Sequence, residues 1–219
     1  MTLVWLIRHG ESEANAGFPT DEQANIKITE KGHEQGKQIA LSLSQQPSLI
    51  VTSPFVRTKQ TAQPTIERFS SVPQAEWQVE EFNYLATARR KNTTLAERKP
   101  MAEEYWQQND PFYVDGEGAE SFAEMMSRIH NLQKQIRDLQ DEFVVIFTHG
   151  MFIRAFLWSL IFNSVEATPK SMREVHISLD FFNIPNGAIL NLQTQNQNIW
   201  IGGILTSHLL DLTALNNAD

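Results

Sequence analysis

Cysteine is absent from all 219 residues. That excludes disulfide staples, thiolate metal sites and every reaction that runs through a cysteine nucleophile. It also fits the reducing cytoplasm, the compartment expected for this chain. Basic charge is in short supply: 18 Lys and Arg stand against 26 Asp and Glu, a formal net charge of −8. A surface of that sign repels polyanions, so neither nucleic acid nor an anionic membrane is expected as a partner. Long apolar runs are missing too. The longest, Met151 to Phe162, is interrupted by Arg154, whereas a bilayer needs about 20 residues. The first residues, Met1 to Ile7, carry no basic group and meet Arg8 at once, unlike a secretory leader. No repeat and no Gly/Ser- or Pro-rich linker divides the chain, which predicts a single domain over 1–219. With 41% apolar residues, a domain of this length buries roughly 70–75% of its unfolded surface.

What is present has the rhythm of an α/β protein. Three short apolar runs, Leu3–Ile7, Leu49–Val51 and Phe143–Phe147, each end in a polar loop followed by a helical pattern. Such runs suit strands buried on both faces. Thr29 is placed to cap a helix with apolar positions through Ile39, Leu41 and Leu43. Ser121-Phe122-Ala123-Glu124 reads as a capping box before Met125, Met126, Ile129, Leu132 and Ile136. Later, Glu174 to Phe182 reads as a strand, Pro185-Asn186-Gly187 as a turn and Ala188 to Gln193 as another strand. Gln195-Asn196-Gln197-Asn198 is a further turn before Ile199-Trp200-Ile201, and Asn216-Asn217-Ala218-Asp219 reads as a frayed tail. The expected architecture is a three-layer αβα sandwich whose mostly parallel central sheet has an antiparallel edge. The unpatterned stretch at about 83–120 is expected to be an insertion that covers the substrate, over one edge of the sheet.

Ligands of an open α/β sheet bind at the carboxyl ends of its parallel strands. Arg8 and His9 follow the first run, Arg57 lies one turn beyond the second, and His149 follows the third. Two arginines and two histidines at one point of an acidic protein invert the local sign of charge. Helix N-termini behind the same loops add free N–H donors. The cluster suits a dianion, and phosphate fits because arginine forks match its oxygens in pairs. Without cysteine, a neutral imidazole is the best available nucleophile for attack on phosphorus. His9 would take the phosphoryl group while Arg8, Arg57 and a protonated His149 hold its oxygens. A departing alkoxide needs a proton. Trp77, Val79 and Glu81 share one face of a strand-like segment, which makes Glu81 the candidate donor and Glu80 the runner-up.

Arg8-His9-Gly10-Glu11-Ser12-Glu13-Ala14-Asn15 resembles the signature of the histidine phosphatase superfamily, also called the phosphoglycerate-mutase-like family. Ile28 to Gly36 is similar to its next block, and Ser53 to Ala62 to the block with its second phosphate-binding arginine. Val79-Glu80-Glu81-Phe82 resembles the acid-bearing block, Ala119-Glu120-Ser121 a helix start, and Thr148-His149-Gly150 the block with the second histidine. Ile184-Pro185-Asn186-Gly187 is similar to a late turn. The blocks stand in family order over nearly the whole chain. The resemblance implies His9 as nucleophile and Glu81 as proton donor. It implies that Arg8, Asn15, Arg57, His149 and Gly150 bind the phosphoryl group of a small phosphorylated substrate, with neither metal nor cofactor. The expected activity is phosphomonoester hydrolysis. A phosphoglycerate mutase is the alternative, although no longer specificity insertion is visible, and a non-catalytic phospho-ligand-binding protein is the third reading.

Other features have plainer explanations. No two histidines stand four apart to share a metal. Gly32 to Lys37 has the wrong glycine spacing for a phosphate loop and reads as a helix surface. His33, His130, His176 and His208 have no partner pattern. Arg89, Arg90, Lys91, Arg98 and Lys99 form a basic group that by default is a solvated face. The sharper expectation is that some of them bind a second anionic group over the pocket.

Overall fold

A run that is apolar on both sides needs cover on both sides, and the first such run becomes an interior strand. The computed structural model describes residues 1–209; the tail expected at Asn216–Asp219 lies outside the described residues. Six strands make one sheet: β1 (Thr2–Arg8), β2 (Leu49–Thr52), β3 (Gln74–Glu76), β4 (Phe143–Thr148), β5 (Ile189–Gln195) and β6 (Asn198–Leu205). The interleaved helices are α1 (Glu30–Ser42), α2 (Val56–Arg68), α3 (Thr87–Arg90), α4 (Leu95–Gln108), α5 (Phe122–Asp138), α6 (Gly150–Ile161) and α7 (Pro169–Phe181). Spatial order is β3-β2-β4-β1-β5-β6. The first four are parallel, and β5 and β6 add the antiparallel edge.

Alternation along β1 sorts its side chains between two cores. Val4 and Leu6 join Val144, Ile146, Leu190 and Leu192 in the core under α5, α6 and α7. Ile7, with Leu3 and Trp5 beside it, joins Ile50, Val145, Phe147 and Ile189 against Ile39 of α1 and Ala62 of α2. These are the three layers of the sandwich.

The helix starts follow their capping residues. Thr29 accepts from Gly32 N at 3.2 Å, and Ser121 and Glu124 cap each other's backbone N–H groups. Leu41, however, is 70% exposed. It shares no face with Ile39 because neighbours two apart on a helix point in different directions.

The segment Glu174 to Phe182 corrects the sequence reading: it is the second half of α7, not a strand. Its alternating apolar residues mimic a two-residue period, but Met172, Val175 and Ser178 are buried and Ile177 is 57% exposed. The decisive signal lies upstream. Thr168 and Ser171 form a capping box, and Pro169 sits where a helix tolerates proline. The turns near the end stand where expected. Ala188 N donates to Pro185 O at 3.0 Å, and Gly187 has φ +80°. Asn196 and Gln197, with φ 51° and 65°, make the tight hairpin that joins β5 to β6.

The segment from 83 to 120 carries α3 and α4. Trp106 packs edge-on to Phe122 of α5 and stacks on His176 of α7 with ring centroids 4.5 Å apart. Among the described residues no helix is long and apolar enough to cross a membrane.

Candidate active site

Register decides which groups meet. Arg8 pairs with Thr148 and Thr52 with Phe147. His9, Ser53 and His149 therefore leave the sheet side by side, and His9 N donates to Thr148 O at 3.0 Å. The two histidine rings lie 5.2 Å apart at 60°, with His9 4% and His149 0% exposed. His9 Nδ1 is 2.7 Å from Gly10 O. A carbonyl only accepts, so Nδ1 carries the proton and Nε2 of the neutral ring keeps its lone pair. His149 Nε2 meets Ser53 Oγ at 2.7 Å.

The arginines are fixed by one edge each. Arg8 Nη1 donates to Ile184 O at 2.6 Å, and Arg57 Nη1 to Gln23 O at 2.6 Å. The Arg57 guanidinium lies 4.9 Å over the Phe55 ring, and that ring is 5.2 Å from His149. Arg8 Nε and His149 Nδ1 are buried without a hydrogen-bond partner among the described residues. Gly150 opens α6, and a Cβ there would stand 2.9 Å from Arg8 Nε. Its lack of a side chain lets Arg8 lie against the first turn of α6.

Glu81 and Glu80 part company. Glu81 accepts from Met151 N at 3.2 Å and Phe152 N at 3.0 Å, so its carboxyl group caps α6. Glu80 turns the other way and pairs with Arg128 at 3.4 Å. The strand-like segment expected here is not a strand. β3 ends at Glu76, and Val79 N donates back to Trp77 O at 2.8 Å in a tight turn. Asn15 is exposed near the histidines. Its Oδ1 accepts from Ser12 Oγ at 2.9 Å and Asn186 Nδ2 at 3.0 Å. Asn186 also donates to His9 O at 3.1 Å, tying the late turn to the loop after β1.

A cavity of about 510 Å³ opens beside this cluster, lined by Asn15, Glu81, Tyr84, Arg90, Lys99 and Met151 among others. A slightly larger one, about 580 Å³, lies by Lys31, Asn183 and Thr206; neither is lined by the two histidines or by Arg8 and Arg57, but the smaller one adjoins them through Asn15, Glu81 and Met151. Sequence reasoning missed Ser53, Gln23 and Asn186 as partners of the site. Each acts through a backbone group or a residue distant in the chain, so no local pattern marks them.

Burial, then Arg57 and Arg8, push His9 well below its ordinary 6.5. Burial followed by Arg57, His9, Arg128 and Arg8 does the same to His149. The sequence reading expects a protonated His149, but its ring in the free pocket is neutral. Burial lowers Arg8 and Arg57 to about 10 each, which leaves both charged at neutral pH. Stability should follow. The unfolded chain returns both histidines to 6.5, so below that pH it binds protons that the folded chain refuses. Stability is complete above pH 6.5 and is lost as pH falls, by at most about 1.4 kcal/mol per pH unit for each ring. Urea unfolding should give a smaller free energy at pH 5.5 than at 7.5. A His9→Gln, His149→Gln double variant should flatten that difference. An unaltered slope would assign it to other groups.

A sequence profile of the histidine phosphatase superfamily (branch 1) matches residues 4–187. The chain belongs to that superfamily. The chain is 26% identical over 163 residues to phosphoserine phosphatase 1 of Hydrogenobacter thermophilus, covering 74% of this chain and 77% of the relative. It is 29% identical over 157 residues to the probable phosphoglycerate mutase GpmB of Escherichia coli, covering 69% and 71%. Among solved structures, the α-ribazole phosphatase of Shigella flexneri superimposes with a TM-score of 0.70 at 19% identity over 94% of this chain and 97% of that one. Phosphoserine phosphatase of Entamoeba histolytica, solved with 3-phosphoglyceric acid, does so with a TM-score of 0.70 at 21% identity over 95% and 100%. These likenesses bear out the α/β sandwich, and the names of the relatives support a phosphatase.

Proposed function

We propose that this histidine phosphatase hydrolyses small phosphomonoesters through a phosphohistidine on His9, with neither metal nor cofactor. One observation carries the reading. The Nδ1–H bond of His9 to Gly10 O at 2.7 Å leaves a neutral Nε2 lone pair beside two arginines and a second histidine. That lone pair forms the N–P bond while the ester P–O bond breaks, and the departing oxygen takes a proton from Glu81. Arg8 and Arg57 hold the equatorial oxygens, with Asn15, the unpartnered Nδ1 side of His149 and the start of α6 at Gly150 completing the cradle. The bound dianion draws onto His149 the proton that the free pocket denies it. Water then attacks phosphorus, Glu81 takes the water's proton, and phosphate leaves as the N–P bond returns its electron pair to Nε2.

The segment 83–120, with α3 and α4, acts as the cover of the single domain, and its cavity admits a small phosphorylated metabolite. A cysteine-free chain suits the cytoplasm, where such substrates are found. The test is turnover in EDTA of p-nitrophenyl phosphate and 3-phosphoglycerate. Free phosphate from both is expected. Isomerised phosphoglycerate without phosphate release would assign a mutase, and binding without turnover would assign a ligand carrier.

A further inference from the structure

The basic residues after Glu81 have separate fates. Arg89 donates to Glu104 Oε2 at 2.5 Å and to Asp115 Oδ1 at 2.6 Å. Arg98 donates to the carbonyls of Thr20 at 2.7 Å and Thr93 at 2.5 Å. Both are committed to the fold. Arg90 is not. It is 7% exposed, it forms no ion pair among the described residues, and its hydrogen bonds run from Nη1 to two neutral oxygens, Gln23 Oε1 and Asn83 Oδ1. A buried guanidinium without a carboxylate is costly to keep, and burial together with Arg98 lowers Arg90 to about 10. Its Nε and Nη2 bond to no described residue, and Arg90 lines the same cavity as Glu81.

Gln23 ties this cation to the phosphate site. Its carbonyl accepts from Arg57 Nη1 at 2.6 Å while its side-chain oxygen accepts from Arg90. A ligand anchored on Arg57 thus lies within reach of a second fixed positive charge. The cavity that Arg90 and Glu81 share also has apolar wall residues, among them Leu85, Leu95, Ala102 and Met151. One arginine fork, with amide oxygens as its other neighbours, matches a monoanion with two coplanar oxygens. Arg98 and Lys99 line the cavity as well, but Arg98 is committed to the Thr20 and Thr93 carbonyls and Lys99 is an exposed side chain, so the fixed fork with open donors at this wall is that of Arg90.

We infer that Arg90 binds a carboxylate of the same molecule whose phosphoryl group is offered to His9, so the substrates are small phosphorylated carboxylic acids. The inference rests on the phosphatase reading and names its substrate class. It also divides the basic segment: Arg90 recognises substrate while Arg89 and Arg98 hold the cover in shape.

The discriminating pair is 3-phosphoglycerate and glycerol 3-phosphate, which differ in a carboxylate against a hydroxymethyl group. The wild-type enzyme should favour the acid in kcat/KM. Arg90→Met should shrink that preference roughly 10- to 100-fold, the range for losing a charged hydrogen-bonded contact. Arg90→Lys, which keeps charge without the fork, should fall between and guards against a misfolded methionine variant. Equal losses on both substrates would put Arg90 on the phosphoryl group or in the fold, and an unaltered preference would make it a bystander; either overturns the inference. If p-nitrophenyl phosphate is not hydrolysed at all, the phosphatase reading fails separately. Calorimetric titration with the same two compounds then decides the carboxylate site, and equal affinities would overturn it.

Discussion

Replacing His9 with alanine should remove turnover, on the order of 10⁴-fold or more in kcat, because no other group in the cluster can accept the phosphoryl. His149 is the nearest imidazole, but its Nε2 is engaged by Ser53 Oγ at 2.7 Å. In the proposed scheme its unpartnered Nδ1 serves as an oxygen ligand, not as a nucleophile. The covalent step gives an independent readout. Enzyme quenched in alkali during turnover should carry one phosphoryl group, stable to base and lost in mild acid, and His9→Ala should carry none. Residual activity within tenfold of wild type, or a phosphoryl group persisting in the variant, would falsify the scheme.

Changing Glu81 to glutamine should produce the second large effect, and the effect should depend on the leaving group. An alkyl ester such as glycerol 3-phosphate departs as a strongly basic alkoxide, so losing the donor should cost roughly 10²–10⁴-fold in kcat. Nitrophenolate leaves without a proton, so p-nitrophenyl phosphate should still phosphorylate His9. The phosphoenzyme would then wait for a base to activate water. A burst of one nitrophenolate per enzyme followed by slow turnover is the expected trace. Glu80→Gln should do little, since Glu80 faces Arg128 at 3.4 Å. Equal losses on the two esters, or a larger loss from Glu80, would assign the proton to another group.

The parts of the fold legible in the sequence are those where burial and local pattern agree. The three apolar runs became β1, β2 and β4, and their ends bring Arg8, His9 and His149 together because parallel strands in register share one edge. Thr29 and Ser121 announced their helices because a cap is a local bond. Where two periods overlapped, the reading went astray. Val175, Ile177 and Leu179 alternate as in a strand, yet Thr168, Pro169 and Ser171 had already committed the chain to a helix. The surroundings of Glu81 were harder still. Its carboxyl group accepts from three backbone N–H groups, two of them about seventy residues away, and backbone donors leave no mark on a sequence. Arg90 illustrates the same limit. Composition placed it in a charged run, but only the packing of Gln23 and Asn83 around it separates it from Arg89.

Gln23 holds one arginine with its main chain and another with its side chain. Anyone exchanging the cover of this enzyme to redirect its selectivity would therefore be retuning the machinery underneath. A graft that drops the lower end of that tether should slow the chemistry itself as well as alter which molecules are admitted. On the proposed reading, choice of guest and speed of reaction are joined through a single glutamine.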